Sequence, residues 1–492
     1  MKLRNDGLVM KAKGWAAHRP RWQVGAIVAL AFFGSGVSAW ALITGSGDRT
    51  IVSNVEGTVI GAIGGHIVQS TLTNQVIGGQ NAVAFASAFA FGDELFASSL
   101  NAADGGGANV GQGSRYTRMP RADLNAAGQW GQHVPARSTG PNATNCIACH
   151  NQGGDDGSGD AADNVHRDAN HTGKLNQMVT RNTPAVFGLG GLQKLAEEMT
   201  TDLQTLRDTN RTALGCGTTT TAGTRTVTLT SKAVAFGTLV ITHASGSTTC
   251  SEALSAPVTG GAKSLSADLV VRPFQWKGAN AFIRDFVRGA EHNEVGNQAT
   301  ELLGSPTVDP ATVDGDGDGV KNELFVGDIT ALTLYQAGQP RPTTRQELAA
   351  LGKIPALSSQ ETSDIAAGST VFDQLGCQTC HVRQLVVNDV IFREPSANPN
   401  FRDAGNLFPN GRSYSASALD IAHPVSFDIT RDSPENAVSH TANGQTLGSF
   451  VRDAQGHAVV ALFGDLRRHD MGRGLDEEVD EVGTGKDVFM TE

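Results

Sequence analysis

Positive charge is in short supply in this chain: 38 lysines and arginines face 49 aspartates and glutamates among 492 residues, a net charge of −11. That deficit argues against nucleic acid as a partner and favours a basic protein partner steered by charge. Cysteine is equally scarce, six residues in all. A zinc site built on Cys146 and Cys149 would need two further ligands nearby, and the only other Cys-x-x-Cys lies far downstream. Composition does supply the balance of a core-forming chain, 39% hydrophobic and 18% charged, which excludes disorder throughout. The length suggests about three domains.

The cysteines that are present fall into a pattern. "TNCIACHNQGG" places Cys146 and Cys149 three apart with His150 directly after, and "GCQTCHV" repeats this as Cys377, Cys380 and His381. In a Cys-x-x-Cys-His segment the two thiols can form thioethers to the vinyl groups of a haem while the histidine ligates its iron. Two such segments imply two covalently bound c-type haems. Cys216 and Cys250 remain, and in an oxidising compartment they most simply pair as a disulfide.

Export makes these assignments coherent, because c-type attachment and stable disulfides both belong outside the cytosol. Residues 1–23 carry six basic residues against one acid, Asp6, and Val24 to Ile43 then runs without a charge. This segment reads as a signal peptide or a membrane anchor, since twenty apolar residues also suffice to span a bilayer. Either way the globular part is expected in the periplasm, touching the membrane only through residues 1–43. Without residues 1–41 the net charge becomes −16, because that segment carries six basic residues and one acid.

Composition divides the rest. Residues 44–80, rich in Gly, Val, Thr and Ser, read as a tether, and 81–209 as a first haem domain. Within 210–268 "TRTVTLTSKAVAFGTLVITHA" alternates β-branched and small residues, so this segment is expected as a β-rich insert closed by Cys216 and Cys250. Residues 269–354 read as interdomain helices and 355–492 as a second haem domain. "FGDELF" (Phe91 to Phe96) has a counterpart in Gly368, Val371 and Phe372, which hints at one helix before each haem and a duplicated unit.

Two further patterns carry chemistry. Ala279, Phe282, Ile283, Phe286, Val287 and Ala290 form one apolar stripe at helical spacing; Glu294 falls inside it while His292 points to the opposite face. A carboxylate aimed inward has its pKa raised by burial, which suits Glu294 to acid/base work, with Glu291 at the stripe's edge second and a helix-end Glu–Arg pair as the plainer alternative. "VDGDGDGVKNELF" sets Asp314, Asp316, Asp318 and Asn322 at loop positions 1, 3, 5 and 9 with Gly319 at the sharp turn, a spacing of oxygen ligands that fits calcium. Position 12 is Phe325, so a complete EF-hand is not expected.

"TGPNATNCIACH", "RNTPAVFGLGGLQ" (Arg181 to Gln193), "VRPFQWKGANAF", "GCQTCHV" and "FGDLRRHDMGRGL" occur in the order typical of the bacterial di-haem cytochrome c peroxidase-like superfamily. The chain resembles most its di-haem oxidoreductase branch, labelled thiol oxidoreductase, over about residues 85–492. The resemblance implies a mainly α fold: two cytochrome c-like haem domains with the small β-rich insert between them and the active site near their interface. Members of the branch continue with a Pro-x-Leu-Trp-Gly and a His-Asp-Gly-Arg segment, so the second domain is expected to be truncated here.

The same resemblance implies roles for single residues. Trp276 in "FQWKG" looks like the tryptophan that carries electrons between the haems, a buried structural tryptophan being the alternative. His166, sixteen residues after His150, has the separation of a displaceable distal histidine, with His171 as fallback. Met471, ninety residues after His381 in "RRHDMG", is the candidate sixth ligand of the second haem, with His469 its competitor. The implied activity is reduction of hydrogen peroxide with electrons from a small cytochrome c or cupredoxin. The alternatives are an electron-transfer di-haem cytochrome without a substrate, or a di-haem oxidase of an organic or protein substrate.

Overall fold

Gly188, with φ of +70°, launches the longest helix among the described residues. The computed structural model describes residues 61–108, 140–151, 165–168, 174–255, 264–415, 418–431, 448–477 and 485–490, together with 53–54, 57–58, 114–117, 137, 157, 170, 172, 441–442 and 445–446. Among them the helices run α1 (Gln69–Ile77), α2 (Asn81–Ala97), α3 (Leu189–Ala213), α4 (Ile283–Ala290), α5 (Val326–Ala337), α6 (Arg345–Ala350) and α7 (Ser359–Gln374). Ser358 and Glu361 make a capping box at the start of α7, and Thr344 and Glu347 do so for α6, each satisfying otherwise orphaned N–H groups.

The strands are short. β1 (Ser53–Asn54) pairs with β2 (Gly57–Thr58), and β3 (Val165–Arg167) with β4 (Val179–Arg181). β5 (Gly223–Ser231), β6 (Val234–His243) and β7 (Cys250–Ser255) form an antiparallel meander. β8 (Leu385–Val387), β9 (Ile391–Glu394), β10 (Val425–Asp428), β11 (Thr441–Ala442), β12 (Gln445–Thr446), β13 (Val451–Arg452), β14 (Ala458–Val460), β15 (Arg468–Asp470) and β16 (Val488–Met490) follow. They pair as β8–β14–β13, β9–β10, β11–β12 and β15–β16.

The expectation of a mainly α protein with two cytochrome c-like haem domains is therefore wrong. Of the described residues 33% are helical and 16% are in strands, spread over seven α-helices and several small sheets. The reason is in the core: one continuous apolar cluster joins Phe96 of α2, Leu203 of α3, Ile241 of β6, Ile329 of α5, Phe392 of β9 and Leu466. Both Cys-x-x-Cys-His segments are thus attached to one body, without a core of their own. A buried ionic cluster strengthens the same tie. Arg284 and Arg288 of α4 reach Glu394 at 3.0 Å and Asp403 at 2.6 Å, and Glu301 lies between the two arginines.

Residues 61–80, read from sequence as the end of a tether, are knitted into this body. Asp104 accepts from the N–H groups of Ala62 and Ile63, Asp328 accepts from Ile67 N–H, and the His66 ring meets Asp328 at 2.6 Å. β6 packs Leu239 and Ile241 into the core from alternate positions, as a period of two requires, and Phe236 joins them from the register shift between β5 and β6. Cys216 and Cys250 are joined in a disulfide with a Cα–Cα distance of 5.6 Å. No helix among the described residues is long and apolar enough to cross a membrane, and residues 1–43 lie outside them.

Candidate functional site

The two Cys-x-x-Cys-His segments adopt the same local form. Cys146–Ala148 and Cys377–Thr379 are each one tight helical turn, and the N–H of the following histidine closes on the carbonyl of the first cysteine, at 3.0 Å for His150 and 2.9 Å for His381. Asn145 caps the first turn by accepting from Ala148 N–H. Gly376, with φ of +77°, turns the chain out of α7 into the second.

Each histidine is held through Nδ1 by a backbone carbonyl, His150 by Gly157 at 3.2 Å and His381 by Phe463 at 3.1 Å. A carbonyl can only accept, so Nδ1 carries a proton in each ring, which makes Nε2 the nitrogen that a neutral ring would offer a metal. That is the tautomer a metal-ligating imidazole needs, with the outer nitrogen anchored. Burial also pushes the His150 pKa down to about 4, which keeps that ring neutral.

Both turns open onto cavities. The first, about 170 Å³, is lined by Cys146, Cys149, His150, Arg167, Trp276 and Glu294 among others. The second, about 540 Å³, is lined by Cys377, Cys380, His381, His469, Met471 and Glu477 among others. Arg181 and Trp276 line both cavities. α7, which leads into the second turn, buries none of its residues, and Val371 and Leu375 are exposed at its end. Paired thiols and an adjacent imidazole, all lining one cavity on each side, are the donor set that a covalently attached haem requires.

The carboxylates are arranged differently from a regular helix. Beyond α4 the chain widens into a π-turn over Glu291–Val295, closed by Gly296 N–H on the Glu291 carbonyl at 2.8 Å. The extra residue per turn breaks the stripe extrapolated from α4, so His292, expected on the opposite face, is buried beside Glu291. Glu294 lines the first cavity, and its Oε2 accepts from Asn142 Nδ2 at 2.9 Å. Glu291 sits deeper, its Oε1 3.7 Å from Cys146 Sγ, and burial raises its pKa to about 7.

Other expected residues divide. In β3 the strand alternation turns Arg167 toward the first cavity while its neighbour His166, paired with Thr180, is not among the lining residues. His171 lies outside the described residues. His469 is buried, with Nε2 held by Asp465 at 3.0 Å and Nδ1 3.6 Å from Cys380 Sγ, whereas Met471 is half exposed at the cavity. Asp314, Asp316 and Asp318 converge, with ligand oxygens within 4.8 Å of one another. Arg115 meets Asp318 at 2.6 Å and Arg137 meets Asp316 at 3.4 Å. Asn322 turns its amide oxygen to Ala311 N–H instead, at 2.6 Å.

Sequence reasoning missed Arg167, Arg181, Asn142 and Glu477. Arg181 opens the "RNTPAVFGLGGLQ" segment, and the alternation of β3 and β4 was the available signal for the two arginines. No family model, no curated protein and no solved structure matches this chain.

Proposed function

We propose that this protein is a di-haem c-type oxidoreductase, akin to the di-haem oxidoreductase branch of the cytochrome c peroxidase-like superfamily, that reduces hydrogen peroxide in the periplasm. The observation that carries the reading is the pair of Cys-x-x-Cys-His turns opening onto two cavities that share Trp276 and Arg181. Cys146 and Cys149 would hold one haem by thioethers with His150 as ligand, and Cys377, Cys380 and His381 the other. When bound, the pair supplies one-electron storage and an iron at which the O–O bond of peroxide is cleaved.

The protein's own residues supply the rest. Two electrons and two protons convert one peroxide to two waters, so a carboxylate must move a proton between the peroxide oxygens. Glu294 Oε2, steadied by Asn142 at the wall of the first cavity, is placed for that transfer. Trp276 spans the interval between the cavities and carries the electron across. Met471, at the wall of the second cavity, would offer its thioether to the second iron, since Asp465 already holds His469 Nε2. Asp314, Asp316 and Asp318 hold calcium. The donor is a small cytochrome c or cupredoxin with a basic face, complementary to the net charge of −11.

Two measurements test this. The mass of the denatured protein is expected to carry two haems, because thioethers outlast unfolding. The purified protein is expected to oxidise a reduced small cytochrome only when peroxide is added. One haem or none, or two low-spin irons inert to peroxide in the half-reduced protein, would overturn the reading, the latter in favour of a pure electron carrier.

A further inference from the structure

The partition between the two cavities is built from few side chains. Arg181 of β4 is 9% exposed; its guanidinium carbon lies 5.7 Å from the centre of the Trp276 ring, and it pairs with Glu477 at 2.5 Å. The second oxygen of Glu477 meets Lys277 Nζ at 3.0 Å. Lys277 is pinned in turn, donating to the carbonyls of Gly485 and Lys486 and lying 4.1 Å over the Phe489 ring. Trp276 packs edge-on against Phe489, and its indole N–H is buried without a partner among the described residues. Arg181 borders both cavities, whereas Glu477 borders only the second.

We infer that Arg181 is a positioning residue that sets the redox energetics of both sites at once, with Glu477 as its counterweight on the second side. This rests on the two-haem reading above. A fixed positive charge beside a redox centre favours the state holding the extra electron, and in a partition shielded from water that effect is weakly screened. Guanidinium never loses its proton near neutrality, so the bias is permanent and independent of pH. The same cation over the indole disfavours removal of an electron from Trp276. One electron then leaves the Cys377–His381 side and arrives at the Cys146–His150 side, no bond forms or breaks at the indole, and Trp276 conducts without keeping the charge. Glu477 offsets the bias mainly where it is close, which separates the two sites energetically.

Spectroelectrochemical titration of the purified holoprotein tests this without reference to turnover. Arg181→Gln is expected to lower the midpoint potential on both sides, by roughly tenfold or more in the reduction equilibrium, about 59 mV for a one-electron couple. Glu477→Gln is expected to move potentials upward, more on the second side than on the first. Arg181→Lys, which keeps the charge, is expected to restore both potentials to within roughly threefold in the same equilibrium. Shifts of opposite sign in the two neutral variants are the signature of charge; a collapsed partition would move both the same way. Shifts of one sign, no shifts, or a response on one side only to Arg181→Gln would overturn the inference. Should Arg181→Gln fail to fold, an unmoved potential in Glu477→Gln alone overturns it. A wild-type protein without covalent haem would defeat the reading beneath it instead.

Discussion

Glu291 and Glu294 stand three positions apart on one widened turn, yet burial sorts them. Glu294 reaches the first cavity with its carboxylate held by Asn142, while Glu291 is enclosed against Cys146. Replacing Glu294 with Gln preserves size and the amide contact but removes the exchangeable acid. Haem attachment is expected to survive and steady-state peroxide turnover to fall roughly a hundredfold. Unchanged turnover would move the role to Glu291. Met471 invites a second substitution, because thioether ligation raises a haem's potential and imidazole lowers it. Met471→His is expected to leave the second site low-spin while lowering its potential on the order of 100 mV, read by optical redox titration. An unaltered spectrum and potential would exclude Met471.

The start of α5 depends on two buried carboxylates. Asp328 accepts from Phe325 N–H, and Asp309 accepts from Val326 N–H and from the Thr300 hydroxyl at 2.7 Å. Burial raises the Asp309 pKa to about 7, well above its ordinary 3.8. The folded protein therefore keeps a proton on Asp309 that the unfolded chain releases. Stability contributed by this group is present below about pH 4 and is lost as pH rises toward 7. Asp309→Asn is expected to flatten that fall by roughly 3 kcal/mol between pH 4 and pH 8 in urea unfolding; an unchanged pH slope would refute it. In the β5–β7 meander the disulfide closes a loop with a sequence separation of 34. A Cys216→Ser and Cys250→Ser double variant is expected to lose about 3–4 kcal/mol of unfolding free energy. The proposed haem attachment at Cys146–Cys149 and Cys377–Cys380 is expected to be unaffected, since the meander lines neither cavity.

The Asp314–Asp318 loop ties distant parts of the protein together. Arg137 bridges Asp316 to the carbonyl of Gly296, which closes the π-turn carrying Glu294, and Arg115 bridges Asp318 to the carbonyl of Gly106. Burial first, and Asp318 second, raise the Asp316 pKa to about 7, so protons compete with any cation there. Calcium at saturating concentration is expected to raise the melting temperature by several degrees at pH 8 and by less at pH 6. Asp316→Asn should remove the response. Identical melting with calcium and with chelator would mean that Arg115 and Arg137 alone neutralise the loop.

By itself the sequence determined the local chemistry. Cys-x-x-Cys-His spacing fits a single turn that brings both thiols and the imidazole to one cavity, and both segments form one. Asp-x-Asp-x-Asp with interleaved glycines brings three carboxylates together for the same reason. Period-two patterning over 223–243 became β5 and β6. Tertiary structure decided everything that depends on distant neighbours. The packing of α2, α3, α5 and β9 into one core replaced the two haem domains expected from resemblance. The π-turn at Glu291–Val295 displaced a helical stripe that a fixed 3.6-residue period cannot anticipate. Arg181 and Glu477 lie 296 positions apart, and only the folded chain pairs them beside Trp276, since no local period encodes a contact that long-range burial creates.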